Sequence, residues 1–195
     1  ARSTVLTLSL VPAFAARDAG AATAILRSIL AQQPQFINLW AAGDDGLVYA
    51  TALPGEAPEP TSIAGQAYFQ RALAGGAPVV ETVRGIPQRP QVFAPVVAAP
   101  VRVEATINGT VQAAFRITGL EAAATHIGLP TEATVTVLDE EGTVIARPGQ
   151  PELVGVSVAG TPFGQAVEAL EAGTFQGPGI DGVPRLHGVQ TVPGT

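Results

Sequence analysis

The pair of residues with the clearest chemical potential is Tyr68 and Arg71, three positions apart in a segment with helical spacing. Residues at this separation lie on the same side of a helix. A guanidinium group can hold a carboxylate through two parallel hydrogen bonds, and a nearby phenol can add a third. The pair therefore predicts a binding site for a small polar or anionic molecule. The alternative is a surface arginine beside a tyrosine of the hydrophobic core.

Five further residues are candidates for the wall of this site. Arg84 and Arg89 flank a predicted turn, Phe93 lies on the following strand, and Trp40 and Tyr49 belong to a predicted hairpin. Aromatic rings can stack on a ligand, and arginines can bind its anionic groups. Each residue also has a structural alternative, because arginines of exposed turns and aromatic residues of the core are common.

Catalytic groups are much less evident in the sequence. The chain has no cysteine, and its two histidines have no carboxylate or thiol at a known metal-binding spacing. Acidic residues at predicted turns need no metal, because aspartate readily bonds its own backbone there. We therefore predict no catalytic residue, no metal and no cofactor. The enzymatic alternative is a hydrolase that uses Asp44, Asp45 or His126.

Composition narrows the possible classes of protein. Of the 195 residues, 47% are hydrophobic and 13% are charged, which favours a folded chain with a sizeable core. A net charge of -6, with no lysine, argues against a nucleic-acid-binding protein. The chain has no methionine, so we expect a segment of a longer protein. No apolar run in it is long enough to span a bilayer.

The elements that must position these residues follow from hydrophobic spacing and from glycine and proline. Residues 3–33 predict one long helix that ends near Gln33, because Pro34 disfavours a helical residue before it. A second helix is predicted at 63–74, ended by the glycines at 75–76. Strands are predicted at 36–42, 47–52, 78–83, 91–99, 101–107 and 110–117, with hairpin turns at 43–46 and at Asn108-Gly109.

Much of this order recurs further along the chain. Gly46 and Gly142 close equivalent turns, and Arg89 and Arg185 open equivalent strands, both 96 residues apart. We infer a duplicated folding unit. The second copy predicts a helix at 120–127, a hairpin at 133–147, a helix at 161–172 ended by Gly173, and a strand at 185–192. It lacks a counterpart of the strand pair at 101–117, so the second unit is predicted to be incomplete.

Several segments resemble the double Cache family of sensor domains. Residues 36–40 (FINLW) and 44–51 (DDGLVYAT) resemble the first hairpin of a Cache module. Residues 65–76 (GQAYFQRALAGG) resemble the helix that caps its pocket, and residues 92–101 resemble the next pair of strands. The resemblance covers nearly the whole chain.

The resemblance implies an α/β fold of two tandem PAS-like modules, each an antiparallel sheet with flanking helices. Residues 1–33 would form a long N-terminal helix, 34–118 the membrane-distal module and 119–195 the truncated membrane-proximal module. Double Cache domains are extracytoplasmic ligand sensors of membrane-anchored bacterial receptors. Family members bind small molecules, often amino acids or carboxylates, mainly in the distal module. In the amino-acid-sensing subset an aromatic pair follows the arginine, whereas Arg71 is followed by Ala72-Leu73.

These observations predict a sensor domain that binds a small carboxylate or amino-acid-like metabolite in a receptor with a histidine kinase output. A chemotaxis receptor or a diguanylate cyclase is the alternative output. A different class is a ligand-free scaffold that forms a homodimer through the N-terminal helix. Thermal-shift screening distinguishes the classes, since a bound ligand stabilises the folded state and a scaffold gains nothing from it.

Overall fold

The computed structural model describes residues 1–53, 61–117, 128–130 and 132–191. By internal contacts the chain divides into two compact units, Ala1–Thr118 and Gly119–Thr195. We call them unit 1 and unit 2. Among the described residues, every helix is too short or too polar to cross a membrane.

The N-terminal segment forms three short helices, which corrects the prediction of one continuous helix at 3–33. The helices are α1 (Arg2–Ser9), α2 (Pro12–Ala15) and α3 (Ala19–Gln32). Pro12 is the first residue of α2, and Val11 before it is extended. Proline favours the first position of a helix and disfavours a helical residue before it, so α1 and α2 are separate.

A second break separates α2 from α3. Arg17 has a φ of 52°, which a right-handed helix does not contain. The side chain of Asp18 then accepts a hydrogen bond from the Ala21 amide and caps α3. Helix α3 ends at Gln32, so the predicted end near Gln33 is confirmed.

Five strands and one helix make up the rest of unit 1. They are β1 (Phe36–Gly43), β2 (Val48–Thr51), α4 (Ala67–Gly75), β3 (Val79–Ile86), β4 (Arg89–Val103) and β5 (Thr106–Phe115). The spatial order is β2-β1-β5-β4-β3, with antiparallel neighbours, so β5 lies at the centre. The predicted α/β class is confirmed.

Helix α4 starts later than the predicted helix at 63–74 but stops where the glycines predict. Gly76 follows it with a φ of 61°. Glycine adopts this left-handed conformation without the steric cost of a Cβ atom. The buried residues of α4 are Tyr68, Phe69 and Ala72, so this side of the helix packs against the sheet.

The hairpin turn predicted at Asn108-Gly109 is wrong. Strand β4 continues through the predicted strand break, and the chain turns at Glu104, which has a φ of 53°. Gly109 lies within β5 and pairs with Gly43 of β1. A Cβ atom at position 109 would collide with the carbonyl oxygen of Ala42. The glycine therefore serves the close approach of two strands.

The sheet of unit 1 buries side chains on both faces. One face packs against α1, α2 and α3, and its cluster includes the fully buried Leu26, Leu39 and Val111. The opposite face packs against α4, and its cluster includes Trp40 and Tyr68. We call these the N-terminal face and the α4 face. Successive residues of a strand point to opposite faces.

Unit 2 repeats part of this plan with shorter elements. They are β6 (Val137–Leu138), β7 (Val144–Ala146), a 3-10 turn (Pro151–Leu153), α5 (Pro162–Glu168), β8 (Ala172–Pro178) and β9 (Pro184–Gln190). Strands β6 and β7 form one two-stranded sheet, and β8 and β9 form another. Gly173 lies inside β8 and does not end the helix predicted at 161–172. The helix predicted at 120–127 lies outside the described residues.

The two units share a hydrogen-bonded turn, which supports the inferred duplication. Gly46 and Gly142 have φ angles of 79° and 75°. The carbonyl of Gly46 accepts a hydrogen bond from the Ile63 amide, and that of Gly142 accepts one from the Val158 amide. Isolated strand bridges join Leu47 to Ser62 and Thr143 to Ser157. The same contacts thus recur 96 residues later for Gly46 and Leu47, and 95 residues later for their partners.

Two arginines of unit 2 converge on one carboxylate. Arg185 Nη1 lies 2.5 Å from Asp181 Oδ1, and Nη2 of the buried Arg147 lies 3.4 Å from Asp181 Oδ2. The hydrogen bond from Arg185 is the main cause that lowers the pKa of Asp181 from 3.8 to about 2. Sequence reasoning missed this cluster, because the partners come from separate elements.

The low pKa of Asp181 predicts a defined pH dependence. Because its pKa is lower in the folded state, the ionised carboxylate stabilises unit 2 above about pH 4. This stabilisation is lost as the pH falls from about 4 to about 2. We expect carboxyl-carbon NMR to report a midpoint of about 2 for Asp181, and Arg185→Ala to move it upward. A midpoint near 3.8 in the unsubstituted protein would contradict the ion pair.

Candidate ligand-binding site

Buried polar side chains collect on the α4 face of unit 1. Trp40 of β1 and Gln112 of β5 are paired directly across the two strands, so their side chains share one face. Thr110 lies two residues before Gln112 and has the same orientation. These three residues are fully buried, and Tyr68 of α4 is 1% exposed. We call Trp40, Tyr68, Thr110 and Gln112 the polar cluster.

Two atoms of the polar cluster have no hydrogen-bond partner among the described residues. They are the indole Nε1 of Trp40 and the amide Oε1 of Gln112. The amide nitrogen of Gln112, in contrast, donates to the hydroxyl of Thr110. An unpaired buried polar group costs about 1–3 kcal/mol, and folded proteins rarely leave one unpaired. The two atoms are therefore candidates for contacts that the chain itself does not make.

Tyr68 contributes a neutral hydroxyl group to this place. Burial raises the pKa of its phenol well above the ordinary value of 10.0. The indole N–H of Trp40 lies near the Tyr68 hydroxyl and partly offsets this rise of the pKa. It is not aligned for a hydrogen bond with that hydroxyl. The carboxylate of Glu81 adds to the rise. Tyr68 therefore stays protonated at neutral pH, and its hydroxyl can both donate and accept.

Arg71 lies on the same helix as Tyr68 and forms an ion pair. Its Nη2 is 2.5 Å from Oε2 of Glu81 on β3. Glu81 pairs with Val96 in the sheet, and Val96 belongs to the α4 face, so Glu81 points to this face as well. The Arg71 side chain is 57% exposed and that of Glu81 is 27% exposed. The pair thus offers one positive and one negative group beside the polar cluster, nearer to solvent.

Asn38 connects the neighbouring loops to the sheet. Its amide nitrogen donates to the Pro87 carbonyl at 3.1 Å and to Gln88 Oε1 at 3.4 Å. Its amide oxygen accepts from the Thr51 hydroxyl and from the Leu53 amide, both at 3.3 Å. The side chain is fully buried and uses its donor and acceptor groups fully. We call this set of bonds the Asn38 latch; it ties the β3–β4 turn and the end of β2 to β1.

The structure places Tyr49 away from the polar cluster. Tyr49 packs into the cluster of the N-terminal face, and its hydroxyl donates to the carbonyl of Phe14 at 3.2 Å. Burial raises its pKa to about 12, and the charge of Arg17 partly opposes the rise. Its contacts are those of a packing residue between β2 and α2.

Arg84, Arg89 and Phe93 are also separate from the polar cluster. Arg84 and Phe93 are paired across β3 and β4, and the guanidinium carbon lies 5.7 Å from the ring centroid. Val83 points to the α4 face, so the adjacent Arg84 and its partner point to the other face. Arg89 is exposed beside the β3–β4 turn. Of the seven predicted site residues, the structure brings together Trp40, Tyr68 and Arg71.

The acidic turn of the enzymatic alternative has structural partners. Asp44 accepts a hydrogen bond from Arg17 at 2.6 Å, and this bond is the main cause that lowers the pKa of Asp44. Asp45 accepts from the Leu47 amide at 3.0 Å. Within the described parts of the chain, no three metal-ligating side chains come together. His126 lies outside the described residues.

Sequence reasoning missed Thr110, Gln112 and Asn38. The sequence contains a signal for the first two, because residues 110–113 (TVQA) alternate between polar and apolar side chains. Alternation puts Thr110 and Gln112 on one face of a strand. Asn38 stands alone in an apolar strand, and its partners lie up to 50 residues away, so its role depends on the tertiary fold.

A helix over one face of a five-stranded antiparallel sheet, with three short helices on the other face, defines a PAS-like α/β module. The chain matches no model of a protein family and no curated protein. Its fold is similar to solved sensor domains of bacterial receptors.

One similar structure is the extracellular domain of a candidate histidine kinase, with 16% identity and a TM-score of 0.71 over 94% of this chain and 73% of that one. A methyl-accepting chemotaxis protein has 16% identity and a TM-score of 0.71 over 98% and 84%. The ligand-binding domain of a Pseudomonas fluorescens chemoreceptor, solved with L-serine, has 11% identity and a TM-score of 0.61 over 98% and 82%. The predicted resemblance to double Cache sensor domains is confirmed for the fold.

Proposed function

We propose that unit 1 binds a small polar metabolite between α4 and the sheet, and that the chain is the extracytoplasmic sensor domain of a membrane-anchored receptor. The observation that carries this proposal is the pair of buried atoms without partners, Trp40 Nε1 and Gln112 Oε1. The fold supports it, since similar folds occur in extracellular and ligand-binding domains of receptors. Unit 1 would be the membrane-distal module and unit 2 the membrane-proximal one.

A carboxylate or amino-acid-like ligand fits the charges beside the polar cluster. Arg71 could pair with a carboxylate, and Glu81 with an ammonium group, if the ligand separates the ion pair that joins them. The chemoreceptor with L-serine supports an amino-acid-like ligand for this fold. The receptor output that we favour is a histidine kinase, as in the similar extracellular domain. A chemotaxis receptor is the alternative.

A conformational change caused by ligand binding would pass through the strands that carry the site. On β1, Trp40 faces the ligand site and the adjacent Leu39 packs on the N-terminal face. On β5, Gln112 faces the same site and the adjacent Val111 packs on the N-terminal face. A ligand that binds one arrangement of α4 and the sheet more tightly shifts the population toward it. The N-terminal helices pack on the opposite face of the sheet, so their positions would change with it and transmit the change toward the membrane.

Trp40 makes this proposal directly measurable, because it is the only tryptophan in the chain. We expect members of a library of amino acids, carboxylates and other polar metabolites to change its fluorescence emission. The same compounds should raise the melting temperature, since a ligand that binds only the folded state stabilises it. Isothermal titration calorimetry of each positive compound would give its affinity and stoichiometry.

Two variants locate the binding event. Trp40→Phe should reduce affinity, measured by calorimetry, because it removes the indole N–H. Tyr49→Phe is the matched control on the N-terminal face, where loss of a hydroxyl should leave affinity unchanged. No stabilisation by any library compound, or binding that Trp40→Phe leaves unaltered, would contradict a site in the polar cluster.

Two exposed leucines, Leu6 of α1 and Leu10 directly after it, support the ligand-free scaffold as a second candidate. Leu6 is 40% exposed and Leu10 is 83% exposed, which suits a helix that pairs with a second copy of the chain. Light scattering would measure the mass in solution. A stable homodimer that no library compound stabilises would favour the scaffold over the sensor.

A further inference from the structure

We infer that the part of the ligand that reaches the polar cluster is uncharged and carries a hydrogen-bond acceptor beside a donor, as a carboxamide or lactam does. This inference rests on the proposed function and specifies the chemistry of the same site. It differs from the expectation that a carboxylate occupies the centre of the site.

The two atoms without partners have opposite requirements. The indole Nε1–H of Trp40 is only a donor and makes no aligned bond even to the nearby Tyr68 hydroxyl, while Oε1 of Gln112 is only an acceptor and has no donor. The two residues are paired directly across β1 and β5, where Cα atoms lie about 4.5–5.5 Å apart. A carboxamide or lactam presents a carbonyl oxygen and an N–H group side by side. One such group, placed between the two atoms, would give each atom the partner that it lacks.

Charge argues against a carboxylate at the same position. None of the four members of the polar cluster is charged at neutral pH, and Thr110 already accepts the amide hydrogen of Gln112. An anion buried there would lack an opposite charge within the cluster and would face the carbonyl oxygen of Gln112. A buried charge without a partner is strongly disfavoured.

The charged groups beside the cluster suit a different part of the ligand. Arg71 and Glu81 pair with each other and are more exposed than the cluster. A charged end of the ligand would therefore lie toward Arg71 and Glu81, and a neutral amide end toward Trp40 and Gln112. The same ion pair cannot neutralise an anion inside the cluster without leaving its present contact.

Matched pairs of compounds test this inference on the full chain. The pairs are L-asparagine and L-aspartate, L-glutamine and L-glutamate, and nicotinamide and nicotinate. We follow Trp40 emission and the melting temperature in titrations with each compound. We expect the amide to bind at least about tenfold more tightly than its acid in any pair that binds, because a site built for hydrogen bonds discriminates strongly against a group that leaves them unmade.

Variants at Gln112 test whether the preference for amides over acids depends on its Oε1 atom. Gln112→Leu should reduce amide binding by about tenfold or more, because it removes the acceptor. Gln112→Met keeps a similar shape without polar atoms and should give the same loss if the leucine variant fails to fold. Gln70→Leu, on the exposed side of α4, is the matched control and should bind as the unsubstituted protein does.

The outcomes separate this inference from the proposed function. Acids that bind as tightly as their amides, or an amide preference that survives Gln112→Met, would overturn the inference. Binding of another polar metabolite that depends on Trp40, with no response to the amides, would also overturn it and would leave the proposed sensor intact. No response to any metabolite of the library would remove both.

Discussion

Replacing Gly109 with alanine is expected to destabilise unit 1 by about 3 kcal/mol, the upper part of the range for overpacked positions. The added Cβ atom would collide with the carbonyl oxygen of Ala42 and lie 3.3 Å from the Cα atom of Gly43. Both contacts are with the backbone of the neighbouring strand, so no side-chain rotation can relieve them. The substitution must therefore separate β1 from β5 at the Gly43–Gly109 pair, where β1 ends.

Urea denaturation followed by Trp40 fluorescence measures this effect, because Trp40 lies in unit 1 and is the only tryptophan. Gly75→Ala is the matched control in the same unit. No atom lies within 4 Å of a Cβ at that position, and alanine favours a helix over glycine by about 1 kcal/mol. We expect a neutral or stabilising effect there. A loss below about 1 kcal/mol for Gly109→Ala would contradict the close approach of the strands.

The contrast between Gly109 and Gly46 explains which parts of the fold are predictable. Gly46 terminates a turn whose partners are near in sequence, and its φ of 79° agrees with the predicted hairpin. Gly109 follows an asparagine and carries an equally strong local signal for a turn. Its role is instead set by a strand about 65 residues earlier in the chain, which local patterns do not report.

The N-terminal helices also show that local patterns miss features set by distant parts of the chain. Alanine and leucine spacing predicted helical structure throughout residues 3–33, and the helical state is correct for most of them. The positive φ of Arg17 breaks the helix because tertiary contacts hold that residue: its side chain bonds Asp44 and the carbonyl of Asn108. Asp44 lies in the β1–β2 turn and Asn108 lies on β5, both far away in the sequence, so the break has no local signal.

The candidate site was predictable in part. Helical spacing placed Tyr68 and Arg71 on α4, and the hairpin placed Trp40 on a strand. The face of Tyr49 depends on a register shift between Ala41 and Ala42, opposite Tyr49. A shift of one residue moves a side chain to the other face of a sheet. Sequence alternation alone does not reveal such a shift.

Asn38→Ala is expected to destabilise unit 1 by about 3 kcal/mol, because it removes the Asn38 latch. The carbonyl of Pro87 and the amide of Leu53 would each lose a hydrogen-bond partner, and partly buried groups without partners cost about 1–3 kcal/mol each. Urea denaturation with Trp40 fluorescence measures the loss. Asn108→Ala is the matched control, since Asn108 donates a single side-chain bond, to Ala15, and should lose about 1 kcal/mol.

The same variant separates support of the site from stability alone. Asn38 precedes Trp40 by two residues on β1 and faces α4 with it, so the latch holds the β3–β4 turn and the end of β2 beside the polar cluster. With the variant kept folded at low temperature, we expect weaker ligand binding by Asn38→Ala and unchanged binding by Asn108→Ala. If Asn38→Ala binds a library compound as tightly as the unsubstituted protein does, the latch does not support the proposed site.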